Sequence, residues 1–252
     1  MDLLEKLRAA KPKHFRLKLL LSVVSLALSL VLLEGLEWWL DVADPPIFSS
    51  HPAYGYLMQP NQSVATRGKR FRINNAGLRG GDIVMPKPQG VFRIAFLGDS
   101  ITYGGGSIRD EDLFVNRIVK SLDPITRPQL EAVNISAPGW GLANMAGFVN
   151  SVGLFDADLL IWVISAPDLR RPFTRLEEHG FLQQKPSSRV LYAIRTSYIR
   201  IFQAIQSNKR RSSAPRQNSG NLNSNIRVLR TMLAQLTGKG LAVAVVLVPG
   251  AS

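Results

Sequence analysis

Residues 19–33 read LLLSVVSLALSLVLL, an uninterrupted run without a charge. Built as a helix, this run is apolar on every side, so it does not suit the surface of a soluble domain, where one apolar stripe is expected. Lys6, Arg8, Lys11, Lys13, Arg16 and Lys18 precede it against only Asp2 and Glu5, and Gly35, Leu36, Trp38, Trp39 and Leu40 extend it past Glu34 and Glu37. Basic residues on one flank and paired tryptophans at the other end fit a membrane span with its N-terminus in the cytoplasm. The expectation is a basic cytoplasmic flank over 1–18 and a single transmembrane anchor over 19–40. The C-terminal part then lies outside the cytoplasmic membrane, in a periplasmic or extracellular space. A cleavable signal peptide is the rival, although no small-x-small site follows the run, and an amphipathic core helix is the bland alternative.

The whole chain has 252 residues, 46% of them hydrophobic and 19% charged, enough to bury a sizeable core in one main domain with accessory segments. Its 31 Lys and Arg against 18 Asp and Glu give a net +13, which suits a polyanion, an anionic membrane surface or an acidic substrate. Part of the excess belongs to the N-terminal flank. The other basic clusters, Arg67, Lys69, Arg70 and Arg72, and Lys209, Arg210, Arg211 and Arg216, accompany no nucleic-acid motif, so lipid headgroups are the more economical partner and no nucleic acid is expected. The absence of cysteine excludes disulfides, Cys-ligated metals and thiol catalysis. The three histidines, His14, His51 and His179, show no ligand spacing, and neither a metal nor a cofactor is expected.

From 41 to 90 the prolines Pro45, Pro46, Pro52, Pro60, Pro86 and Pro88 interrupt any long helix, which predicts a linker and an irregular lead-in. The segment Val91-Phe92-Arg93-Ile94-Ala95-Phe96-Leu97 then reads as a strand, and Leu113, Val115, Ile118, Val119 and Leu122 read as a helix. Further strands are predicted over 130–135, 159–164 and 241–248, with helices over 142–152 and 222–236 between them. Strands apolar on both faces and alternating with helices predict a three-layer α/β/α domain with a parallel sheet over 91–252. Residues 207–219, SNKRRSSAPRQNS, read as a solvated basic loop.

Directly after the first core strand stands Gly98-Asp99-Ser100-Ile101-Thr102-Tyr103-Gly104, at the carboxyl end where open α/β sheets bind ligands. Gly98 permits a sharp exit from the strand. Ser100 enters a helix whose first N–H groups lack partners, a place for a nucleophile beside an oxyanion. A Gly-Asp-Ser turn is also a common helix cap. Gly104, Gly105 and Gly106 lack the Lys-Ser/Thr of a phosphate loop and read as loop freedom, and Asp110, Glu111 and Asp112 read as carboxylates on a helix N-terminus. Asp156 and Asp158 read as exposed edge residues.

GDSITYG after an apolar strand resembles the first block of the SGNH (GDSL-like) hydrolases. Asn134-Ile135-Ser136-Ala137-Pro138-Gly139-Trp140-Gly141 is similar to their second block, and Arg72-Ile73-Asn74-Asn75-Ala76-Gly77-Leu78-Arg79-Gly80 resembles a lead-in of membrane-anchored and exported bacterial members. The resemblance spans residues 53–252. It implies a flavodoxin-like SGNH-hydrolase fold and ester hydrolysis through an acyl-enzyme. Ser100 would be the nucleophile, the N–H groups of Ser100 and Gly139 the oxyanion donors, and Gly98, Asp99 and Asp168 the supporting loop residues. The implied substrate is an O-acyl or O-acetyl ester of an envelope carbohydrate or lipid.

Two departures accompany the resemblance. Where the family has Gly-x-Asn-Asp, this chain has Ser165-Ala166-Pro167-Asp168, and Pro167 offers neither a side-chain donor nor an N–H. The family's late Asp-x-x-His block, which supplies the general base, is absent. His179 in Leu176-Glu177-Glu178-His179 precedes the last strand and reads as a surface histidine. The expectation is a domain truncated at its C-terminus, with its catalytic histidine beyond Ser252. The alternative is an inactive SGNH-like domain that binds acylated glycan.

Overall fold

The computed structural model describes residues 15–40, 44–66, 69–122, 129–188, 190–192, 194 and 219–249. The chain forms two compact units, one of residues 1–42 and 186–206, the other of 43–185 and 207–252. Most of the basic flank with His14, the Arg67 position, most of the Ser-rich basic stretch and residues 250–252 lie outside the described residues.

In the first unit, α1 (Phe15–Leu40) is one continuous helix that starts ahead of the expected 19–40 span. Its portion Phe15–Leu36 holds an 18-residue window with a mean hydropathy of 2.3, none of it buried within the protein. At 1.5 Å per residue that portion covers ~33 Å, enough for a ~30 Å hydrocarbon layer. Glu34, the first charge after the run, accepts hydrogen bonds from Ser188 Oγ at 2.7 Å and the Val190 N–H at 3.3 Å, which satisfies its carboxylate at the end of the apolar run.

In the second unit, the segment expected as an irregular lead-in forms two antiparallel hairpins. These are β1 (Phe48–His51) with β2 (Gly55–Met58), and β3 (Gln62–Thr66) with β4 (Lys69–Ile73). The prolines stand outside the strands and leave them free to pair, while Phe48, Tyr56, Met58, Val64, Phe71 and Ile73 are buried in the main core. Strands of four or five residues carry too few alternations to stand out in sequence.

Behind them lies a four-stranded, all-parallel sheet of β5 (Val91–Gly98), β6 (Gln129–Ser136), β7 (Leu159–Ser165) and β8 (Ala242–Val248), in the order β6-β5-β7-β8. Alternate residues separate its faces. Ala95, Leu97, Val133, Ile135, Leu160, Trp162 and Ile164 join one cluster. Two helices pack into it, one carrying Leu142, Met145 and Phe148, the other Met232 and Leu236. Ile94 and Phe96 point to the other face, against Leu113 and Val115. The covering helices are α3 (Phe114–Leu122) on the second face, and α4 (Leu142–Ser151) and α5 (Ser219–Gly238) on the first. The α/β architecture with a parallel sheet is thus present, and helices over both faces explain why the strands are apolar on both sides. The outermost strand β8 leaves Val245, Val246 and Leu247 exposed.

Two local expectations differ. Residues 110–112 form a separate 3₁₀ turn, and the helix begins only after an extended Leu113. Asp110 is held elsewhere: its carboxylate accepts from the Arg72 N–H at 3.0 Å and pairs with Arg79 Nε at 2.8 Å. Asp158 is not a free edge residue, since it accepts from the Arg93 N–H at 2.7 Å and pairs with Lys87.

Candidate active site

Three loops leave the carboxyl edge of the sheet side by side, because Gly98 pairs in register with Ser136, and Leu97 with Trp162. The first continues into a single helical turn, α2 (Ser100–Tyr103). Gly98 is required by space: a Cβ there would lie 2.0 Å from Thr102 Oγ1 and 3.2 Å from the Val163 carbonyl oxygen. Asp99 caps the turn, its Oδ1 accepting the Ile101 N–H at 2.9 Å. Its Oδ2 lies 3.5 Å from Ser100 Oγ. Asp99 is buried and Ser100 exposed. As the first residue of its turn, Ser100 has no intrahelical acceptor for its N–H, which leaves that donor for a ligand.

The second loop turns at Gly139, with φ +85°, a conformation that favours glycine. A Cβ there would also strike His179 Cε1 at 2.6 Å and Tyr56 Oη at 2.8 Å. The loop's three successive carbonyls each meet a side-chain donor. Tyr56 Oη donates to Pro138 O at 2.6 Å, Thr174 Oγ1 lies 3.0 Å from Gly139 O, and Arg171 Nη1 donates to Trp140 O at 2.6 Å.

The third loop carries Asp168, fully buried, whose Oδ2 accepts the Ser165 N–H at 2.8 Å and Ser165 Oγ at 2.7 Å. Its Oδ1 accepts from Arg171 Nη1 at 2.7 Å, and the same nitrogen stands 3.5 Å from Asp99 Oδ2. One guanidinium thus ties all three loops together. Burial, with the neighbouring Asp99 charge, pushes the Asp168 carboxyl up to about 6. Asn225 of α5 donates to the carbonyls of Leu169 at 3.1 Å and Arg171 at 2.8 Å, closing the turn from beneath. Pro167 is exposed, and its carbonyl accepts the N–H groups of Arg170 and Arg171.

The structure therefore gathers Gly98, Asp99, Ser100, Gly139 and Asp168 at one sheet edge. His179, expected as a surface residue, is half-buried against Gly139. It stacks on Phe181 and meets Tyr56 edge-on, with ring centroids 5.1 Å away in both cases. Its Nε2 is enclosed without a hydrogen-bond partner among the described residues. Burial holds the imidazole below its usual value, so the neutral form prevails at neutral pH.

Sequence reasoning missed Arg171, Tyr56, Thr174 and Asn225, which lie in stretches without a motif. It also gave no role to Arg79, although the lead-in motif contains it. The Arg79 side chain is fully buried. It donates to the carbonyls of Tyr103, Gly105 and Ile108, pairs with Asp110 and lies 4.2 Å from the Phe71 ring centroid. It anchors the glycine-rich loop that follows the Ser100 turn.

Compared with known proteins, the chain matches no family model and no curated protein.

Proposed function

We propose that this chain is a membrane-anchored serine ester hydrolase of SGNH type, with its α/β domain outside the cytoplasmic membrane. The observation that carries the reading is the position of Ser100: exposed, at the amino end of a helical turn on the carboxyl edge of central strand β5, whose parallel neighbour β6 leads into the left-handed Gly139 turn. Attack by Ser100 Oγ on an ester carbonyl forms a tetrahedral oxyanion, for which the N–H groups of Ser100 and Gly139 are the donors. The Ser100 hydroxyl proton passes to water, collapse releases the alkoxide, which takes a proton from water to leave as the alcohol, and the acyl-serine is cleaved by water to the acid and free Ser100. An exposed nucleophile on a membrane-anchored chain suits an O-acyl or O-acetyl ester of envelope carbohydrate or lipid.

Pro167 favours a second reading, a domain of this type that binds acylated glycan without cleaving it, because it supplies no oxyanion donor where the related block carries Asn. Hydrolysis of p-nitrophenyl acetate by the full-length protein, lost on Ser100→Ala, supports the hydrolase. Retention of an acetylated glycan without turnover supports the binding domain. Protease added to intact spheroplasts should digest the α/β domain, and full protection would sink the outward topology.

A further inference from the structure

The three successive carbonyls of the Gly139 turn each meet a side-chain donor, and that constrains where the Gly139 N–H points. The Pro138–Gly139 peptide is trans, the single cis bond among the described residues being Met85–Pro86. In a planar trans peptide the C=O and N–H point in opposite directions, so fixing one fixes the other. Tyr56 Oη fixes the carbonyl, 2.6 Å from Pro138 O. The phenol is itself immobile: Tyr56 is fully buried, its own carbonyl accepts Trp140 Nε1 at 3.0 Å, and its ring is edge-packed on Phe48 and Phe181. The next two carbonyls are met by Thr174 and Arg171, so the peptide cannot flip without breaking a hydrogen bond inside the protein.

We infer that Tyr56 is a positioning residue, which holds the Pro138 carbonyl from behind and so aims the Gly139 N–H toward the oxyanion of the bound ester. This rests on the reading of the chain as a Ser100 hydrolase. It assigns the first hairpin, which lies far from the nucleophile in sequence, a part in transition-state stabilisation. The phenol keeps its proton throughout the working range, since burial pushes it up to about 12. A donor that only the transition state uses in full affects kcat more than KM.

The test compares the full-length protein in detergent micelles with Ser100→Ala, Tyr56→Phe and Thr174→Val. The readouts are kcat and KM for p-nitrophenyl acetate and the affinity for phenylboronic acid, whose tetrahedral serine adduct mimics the oxyanion. Removing an oxyanion donor costs ~10²–10³ in kcat, and mis-aiming one should cost about 10-fold or more. The expected result is loss of hydrolysis and boronate binding in Ser100→Ala, with a kcat loss in Tyr56→Phe at unchanged KM and a parallel loss of boronate affinity. If Tyr56→Phe does not fold, Thr174→Val should show a smaller effect of the same kind. Ser100→Ala inactive with Tyr56→Phe and Thr174→Val both at the wild-type level overturns the positioning role alone. Ser100→Ala at the wild-type level overturns the hydrolase reading and the positioning role together.

Discussion

Arg171 and Asp168 are joined at 2.7 Å through the same guanidinium nitrogen that reaches the Trp140 carbonyl, so one side chain links the loops that follow β6 and β7. Asp168 is fully buried and Asp99 nearly so, and Arg171 is the cation beside both. Arg171→Leu leaves two adjacent carboxylates without it. The expected cost at pH 7.5 is ~3 kcal/mol or more in urea unfolding, with a smaller cost at pH 5, where Asp168 is protonated. Equal costs at both pH values would show that the carboxylates do not depend on Arg171.

Asp168 itself imposes a pH dependence. Its folded-state value, up at about 6, lies above the ordinary 3.8. Between these values the folded chain binds more protons than the unfolded chain, so stability falls as pH rises through the window. The contribution is complete below the lower value and lost above the higher one. Asp168→Asn removes the titration. The stability of the wild type relative to this variant should therefore fall by up to ~3 kcal/mol from pH 4 to pH 7. A pH-independent difference would contradict the assignment.

Arg79 predicts a different failure. Arg79→Met strips a donor from three loop carbonyls and leaves Asp110 without its buried partner. A loss of about 3–5 kcal/mol is expected. Amide exchange should accelerate over residues 103–112 more than elsewhere in the sheet domain, and a uniform change would argue against a loop anchor.

How far these features could be read in advance depended on how local their signals are. The long strands β5 and β7 and helix α4 stood out because seven or more residues repeat one pattern, and the glycines at 98 and 139 mark turns that a side chain would obstruct. The hairpins were hidden among prolines, and their purpose emerges only in three dimensions, where Tyr56 reaches Pro138 and Arg79 reaches Tyr103. Asp110 looked like a helix-opening carboxylate because sequence shows its neighbours and not the arginine folded onto it. His179 looked like a surface residue because two glutamates precede it, while the aromatic rings that enclose it come from the first hairpin and from Phe181.

Gly98 and Thr102 form a coupled pair. Gly98→Ala places a methyl 2.0 Å from Thr102 Oγ1, an atom with no hydrogen-bond partner among the described residues. Overpacking of this kind costs ~1–3 kcal/mol. Removing the unpartnered hydroxyl in Thr102→Ala should cost less, and the double variant should regain part of the Gly98→Ala loss, giving a non-zero coupling in thermal unfolding. Strict additivity would mean that the clash is relieved by backbone movement.

The most direct measurement is the site of covalent labelling. Full-length protein in micelles, treated with a fluorophosphonate and digested for peptide mass mapping, should carry a single phosphonyl adduct on Ser100, and Ser100→Ala should carry none. Ester hydrolysis that survives Ser100→Ala, with Ser100 unmodified in the wild type, would contradict its role as the nucleophile.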